Sequence, residues 1–203
     1  FLVHNCQRGM TYVELIVALS IFATMSSMVL FNYGDFQGKV DIKNLGSDIA
    51  LKIVEAQKSA ISGVLSTQVF TSKPSYGAYF NSSTVIDTDG IPFNEKFIYF
   101  ANFNNANGYE AGEILDTIKI TKGNSISKME RCNIEPCESG AATINSISIS
   151  FTRPDSRAIF NDATGLPIND FKYIQITIKS PKGMTAKIKI YLSSVFCLNF
   201  SIR

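Results

Sequence analysis

Glu14 is the one charged residue between Arg8 and Asp35. From Leu15 to Gly34, twenty consecutive residues carry no charge, and most are Leu, Ile, Val, Phe, Met or Ala. A helix of that length, at about 1.5 Å per residue, covers the roughly 30 Å hydrocarbon core of a bilayer. A charge costs about 2.5–3.5 kcal/mol at the centre of a membrane helix and less near its end. A carboxylate in such a place points to a partner cation. The alternative is a carboxylate in the interfacial zone that reaches out to water.

Other groups offer less. His4 is the only histidine. Cys132 and Cys137 flank the short stretch Asn133-Ile134-Glu135-Pro136, where a disulfide is feasible and would suit an extracytoplasmic compartment. Free thiols are the alternative, and zinc is not expected because partner ligands are missing. Cys197 reads as a buried small apolar residue. Glu135, Glu138, Asp155, Asp162 and Asp170 fall in presumed loops, where scattered acids serve solvation rather than acid–base work. Asn102, Asn104, Asn105 and Asn107 alternate near Gly108, Glu110 and Glu113. A hard cation wants more carboxylates than that, so a turn is expected, not a calcium site. Lys172, Lys179, Lys182, Lys187 and Lys189 lie among Phe171, Tyr173 and Tyr191. That pattern is the solvated side of strands, or else a face for nucleic acid or another anionic surface. No phosphate loop and no catalytic constellation occur, and no cofactor or metal is expected. The net charge of +2 is too small to argue for nucleic acid by itself.

The elements that position these groups fall into two kinds. Between Lys39 and Gly63 apolar residues recur at Val40, Ile42, Leu45, Ile49, Ile53, Ala56, Ala60 and Ile61, the stripe of a half-buried helix. Ser62-Gly63 is the expected stop. With the apolar run before it, one helix from Met10 to about Ser62 would be roughly 80 Å long. Gly34, Gly38 and Gly46 are its weak points, at about 1 kcal/mol each. After Gly63 the period changes to two. Strands are expected at 67–71, 76–80, 96–101, 114–121, 125–132, 143–152, 157–160, 173–179, 185–192 and 195–202. Asp89-Gly90, Asn107-Gly108, Lys122-Gly123, Thr164-Gly165 and Lys182-Gly183 mark turns. The fold class is therefore α+β: a long N-terminal hydrophobic helix packed on a C-terminal, antiparallel, β-rich head. The chain has 203 residues, enough for one domain plus a helix.

The segment Arg8-Gly9-Met10-Thr11-Tyr12-Val13-Glu14, followed at once by the apolar run, resembles the N-terminus of type IV prepilins and the related pseudopilins. The resemblance implies a leader over residues 1–9, a stalk helix over 10–63 and a head over 64–203. It implies cleavage by a prepilin peptidase between Gly9 and Met10, and N-methylation of the new amine on Met10. It also implies that Glu14 meets that amine on a neighbouring subunit during assembly. Further implied partners are other pilin or pseudopilin subunits and an inner-membrane assembly platform. The location would be the inner membrane first and an extracytoplasmic filament afterwards. Cys6 and His4 would leave with the leader, so the mature chain would have no histidine-based chemistry. Phe1, in place of an initiator Met, is expected if the true start lies further upstream.

Two stretches of the head resemble minor pilins with a GspH-like head: Asp48 to Gln57, and Ile149-Ser150-Phe151-Thr152-Arg153-Pro154. The closing stretch, Ile188 to Ile202, is similar too, although Cys197 stands where such turns usually have Gly. The resemblance implies a structural, non-enzymatic role, as a minor pilin or as a pseudopilin of a secretion or competence system. Other readings of the apolar run are a secretory signal peptide, a plain anchor on an enzyme, or the anchor of a DNA- or ligand-binding module. A signal peptide has an apolar core of about 7–15 residues, shorter than this one.

Overall fold

The computed structural model describes residues 10–63, 74–104, 108–137, 141–154, 157–192 and 199–202. Strands expected at 67–71 and over 195–198 fall outside them. The chain forms two compact units, Phe1–Gly38 and Lys39–Arg203.

One helix, α1, runs over Tyr12–Ser62. Its hydrophobic part is shorter than the long hydrophobic helix expected: 19 residues, Tyr12–Leu30, with a mean hydropathy of 2.0 and no burial. Beyond Gly38 the helix is amphipathic. Gly34, Gly38 and Gly46 are all helical, so no break occurs at them.

In the second unit the helix buries Ile42, Ile49, Ile53, Ala56 and Ala60, while Leu45 is partly covered. Burying each Ile is worth about 1.5–3 kcal/mol. Ile61, counted with the stripe in sequence, is exposed, because it lies about 100° around the helix from the buried Ala60. Gly63 closes it at φ +62, with its N–H donating to Ser59 O at 3.1 Å. A residue without Cβ takes that left-handed conformation at no steric cost.

Among the described residues ten strands follow: β1 Ser75–Asn81, β2 Lys96–Asn102, β3 Ile114–Lys119, β4 Ser125–Cys132, β5 Thr143–Ile144, β6 Ser146–Phe151, β7 Ala158–Asn161, β8 Tyr173–Lys179, β9 Thr185–Tyr191 and β10 Asn199–Ile202. They make two five-stranded sheets, ordered β3-β2-β1-β6-β7 and β10-β9-β8-β4-β5. All the strand pairs are antiparallel.

The strand expected over 143–152 divides at Asn145. Thr143 and Ile144 pair with β4 in one sheet, and Ser146 to Phe151 pair with β1 in the other. The chain changes sheets there, and one core serves both. It joins Ile53 and Ala56 of the helix, Phe80, Phe97 and Ile149 of the first sheet, and Ile174, Ile176 and Ile188 of the second. The opposite face of the first sheet is covered as well. Tyr109 stacks on Tyr79 at 4.6 Å and meets Phe100 edge-on at 5.4 Å. Gly77 is required beneath it, because an added Cβ would come within 2.6 Å of the Phe100 ring.

Candidate functional site

Glu14 lies in the first turn of α1 and is exposed. Its N–H donates to Thr11 Oγ1 at 3.3 Å, and Leu15 N–H donates to Thr11 O at 3.1 Å. Thr11 therefore caps the helix, and Thr11-x-x-Glu14 has the spacing of a capping box. A carboxylate in this turn also suits the positive end of the helix dipole. That role was legible in the sequence and was missed. Met10 is exposed, one residue before the cap. Gly9, Arg8, His4 and Cys6 lie outside the described residues. Behind Glu14, Phe22, Met28 and Leu30 are each about 70% exposed, at 70, 73 and 73%. Bare apolar surface of this kind costs about 25 cal/mol per Å² in water. Apolar surface of this extent near an N-terminus is what a membrane anchor or a signal sequence presents.

Cys132 and Cys137 are joined by a disulfide, with Cα atoms 5.1 Å apart. Three contacts fasten the loop between them to β8 and β9. Tyr173 OH donates to Ile134 O at 3.0 Å, and the Glu135 carboxylate accepts from Lys189 Nζ and from Tyr191 OH. The Lys189 hydrogen bond holds the Glu135 carboxyl below its ordinary value, and the same bond raises Lys189. Lys128 is likewise paired, with Glu130 at 2.6 Å. The lysine-rich face of this sheet is thus partly neutralised, and Tyr173 is buried. Stacking on single-stranded nucleic acid needs open aromatic rings beside cations.

The Asn-rich loop spends its carboxylates on its own backbone and side-chain amides. Glu113 is buried and accepts the N–H groups of Phe103 and Glu110, both at 3.1 Å. Burial pushes its carboxyl up. Asn104 donates to Glu110 at 2.9 Å. The Tyr109 phenol beside them is pushed up by burial to about 12. Asn105 and Asn107 lie outside the described residues. Asp162 is a turn residue, accepting from Thr164 and Leu166, and the Thr164 hydroxyl lowers its carboxyl. Asp155 and Glu138 lie outside the described residues. Among the described residues no group of three or more His, Cys, Asp or Glu side chains could hold a metal.

Two clusters went unread in the sequence. Lys96 is 2% exposed and reaches Asp87 at 2.7 Å and Asp89 at 2.6 Å. Its amine also lies over the Phe93 ring at 5.2 Å. The Asp-x-Asp-Gly run before it was a usable signal. The second cluster is Arg153. Its Nε donates to Ala60 O at 2.8 Å and its Nη2 to Ile61 O, at the carbonyl end of α1. No local pattern could link residues this far apart in the chain.

Comparison with protein-family models, with curated proteins and with solved structures finds no match to this chain.

Proposed function

We propose that this chain is a pilin-like structural subunit, a minor pilin of a type IV pilus, released from its leader after Gly9 and built into a filament through α1. The observation that carries this reading is Gly9-Met10-x-x-x-Glu14 at the head of an apolar helical segment, Tyr12–Leu30, none of which is buried. In the inner membrane lipid covers that helix; in the filament other copies do. Glu14 then accepts the cationic amine of Met10 from a neighbour, which offsets the cost of a carboxylate among apolar side chains. A pseudopilin of a type II secretion or competence apparatus belongs to the same class and is the second form of this reading.

Two substitutions separate assembly from helix capping. Gln keeps the capping-box geometry and removes the charge, whereas Ala removes both. The expected mature N-terminus is N-methylated Met10, read by mass spectrometry. Glu14→Gln and Glu14→Ala are both expected to lower filament incorporation at least tenfold while leaving cleavage intact. Normal incorporation of Glu14→Gln, or residues 1–9 still present on assembled subunits, would sink the proposal.

A further inference from the structure

We infer that the cleft between α1 and β3 binds a small zwitterion, a free α-amino acid with a short aliphatic side chain. The cleft holds about 260 Å³. That is just under the roughly 300–1,000 Å³ of ordinary small-ligand sites, so it suits a very small ligand. Leu45 and Ile118 line it, and both are partly buried against the core. Asn44 and Asp48 line it from α1, and Lys119 and Thr121 from the β3 side.

The two sides are held together at both ends. Asp41 of α1 pairs with Lys122, and further along the helix Lys52 pairs with Asp116 at 3.5 Å. Helix and strand therefore run in opposite directions here. Asn44, Asp48, Lys119 and Thr121 fall between those two ion pairs in sequence. The turn after β3 is equally well built. Lys122 and Gly123 have φ of +63 and +69, the paired left-handed conformation of a tight two-residue turn. For a lysine that conformation costs about 1–2 kcal/mol. Asn124 is buried, and its backbone and side-chain N–H groups donate to Thr121 O at 3.3 and 3.2 Å.

Two opposite charges line this cleft without meeting. The Asp48 and Lys119 side chains have no ion pair or hydrogen bond among the described residues. Asp41 and Lys122 already bond each other, so the charges around the cleft cancel. A simple anion would pair with Lys119 and leave Asp48 unmatched, and a simple cation would do the reverse. A sugar would find no aromatic ring to stack on among the described lining residues. A zwitterion gives its ammonium to Asp48 and its carboxylate to Lys119. Such charge-assisted bonds are roughly twice as strong as neutral ones. A short aliphatic side chain then lies against Leu45 and Ile118. A free amino acid carries both charges on one carbon, whereas a polypeptide holds them at opposite ends. This site is independent of the filament role.

The test uses the full chain in lipid nanodiscs, titrated with valine, N-acetyl-valine and valinamide while methyl NMR shifts are followed. N-acetyl-valine lacks the ammonium, and valinamide lacks the carboxylate. Valine is expected to give saturable shifts at Leu45 and Ile118, with each analogue at least tenfold weaker. Asp48→Asn and Lys119→Gln, both at exposed positions, are each expected to weaken valine at least tenfold without lowering the melting temperature. In Asp48→Asn, valine should bind no better than N-acetyl-valine, and in Lys119→Gln no better than valinamide. Absence of saturable shifts, an analogue that binds the wild type as well as valine does, or valine binding untouched by either substitution would overturn the inference.

Discussion

Removing the Arg153 guanidinium strips two carbonyls at the end of α1 of their donors. Hydrogen bonds to a charged group are worth about 1.5–3 kcal/mol each when buried, and exposed groups fall below that range. Arg153 is exposed, so Arg153→Ala is expected to cost about 1–3 kcal/mol in all. Arg153→Lys should recover part of the loss. Denaturant unfolding at constant m-value checks both variants.

Lys96 makes a second claim at the same scale, one that depends on pH. Burial lowers the Lys96 amine, yet its bonds to Asp87 and Asp89 outweigh burial and raise it. Those bonds hold both carboxyls below 3.8. Depressed carboxyls give stability that is present above their unfolded value and lost as pH falls through the folded one. The raised amine gives stability that is lost only as pH rises above 10.5 through its folded value. The gap in melting temperature between the wild type and Lys96→Met should therefore be constant from about pH 5 to pH 9 and shrink below pH 3.8. A gap unchanged at pH 3 would show that the carboxylates contribute nothing.

Among the elements, the loop closed by Cys132 and Cys137 has two kinds of support, covalent and non-covalent. The disulfide spans a separation of 5 residues. In the chain-entropy account a ring that small contributes about 2 kcal/mol. Tyr173, Lys189 and Tyr191 hold the same loop without it. Replacing both cysteines by Ser is thus expected to lower stability by up to about 2 kcal/mol while the fold survives. Denaturation of the wild type with and without reductant should show the same difference. Loss of cooperative unfolding would mean that the loop organises the second sheet rather than resting on it.

The elements also show what could be read in advance. Strand period and X-Gly turns located β1, β2, β4, β8 and β9 closely, and the alternation is cleanest in β8, at Ile174, Ile176 and Ile178. The divide at Asn145 was visible as a change of phase: Ile144 is three residues from Ile147, whereas Ile147, Ile149 and Phe151 keep a period of two. What could not be read was the cover. Ser146, Ser148 and Ser150 alternate as if they faced water, yet all three are buried. Their cover is supplied by chain distant in sequence: a Cβ on Gly108 would lie 3.2 Å from Ser148 Oγ. The Arg153 contact to α1 escaped for the same reason, since its partners are 93 and 92 residues away.

For the whole molecule, the division between compact units falls inside α1, at Gly38, and not at the end of the helix. The physical reason is the change in what the helix buries. Ile42, Ile49, Ile53, Ala56 and Ala60 are part of the same core as the two sheets. A fragment that starts at Lys39 keeps all five, and it sheds the 19-residue hydrophobic segment Tyr12–Leu30. It is expected to stay in solution without detergent and to unfold in one cooperative step. A fragment that starts after Gly63 loses all five and uncovers the faces they touched. Losing the three isoleucines alone removes about 4.5–9 kcal/mol of burial, comparable to the total stability of many domains. Circular dichroism melts of the two fragments should therefore differ in kind, with a sigmoidal transition for the first and none for the second. Equal melts would mean that the sheets close their core without the helix, and Lys39–Ser62 would then serve the stalk rather than the head.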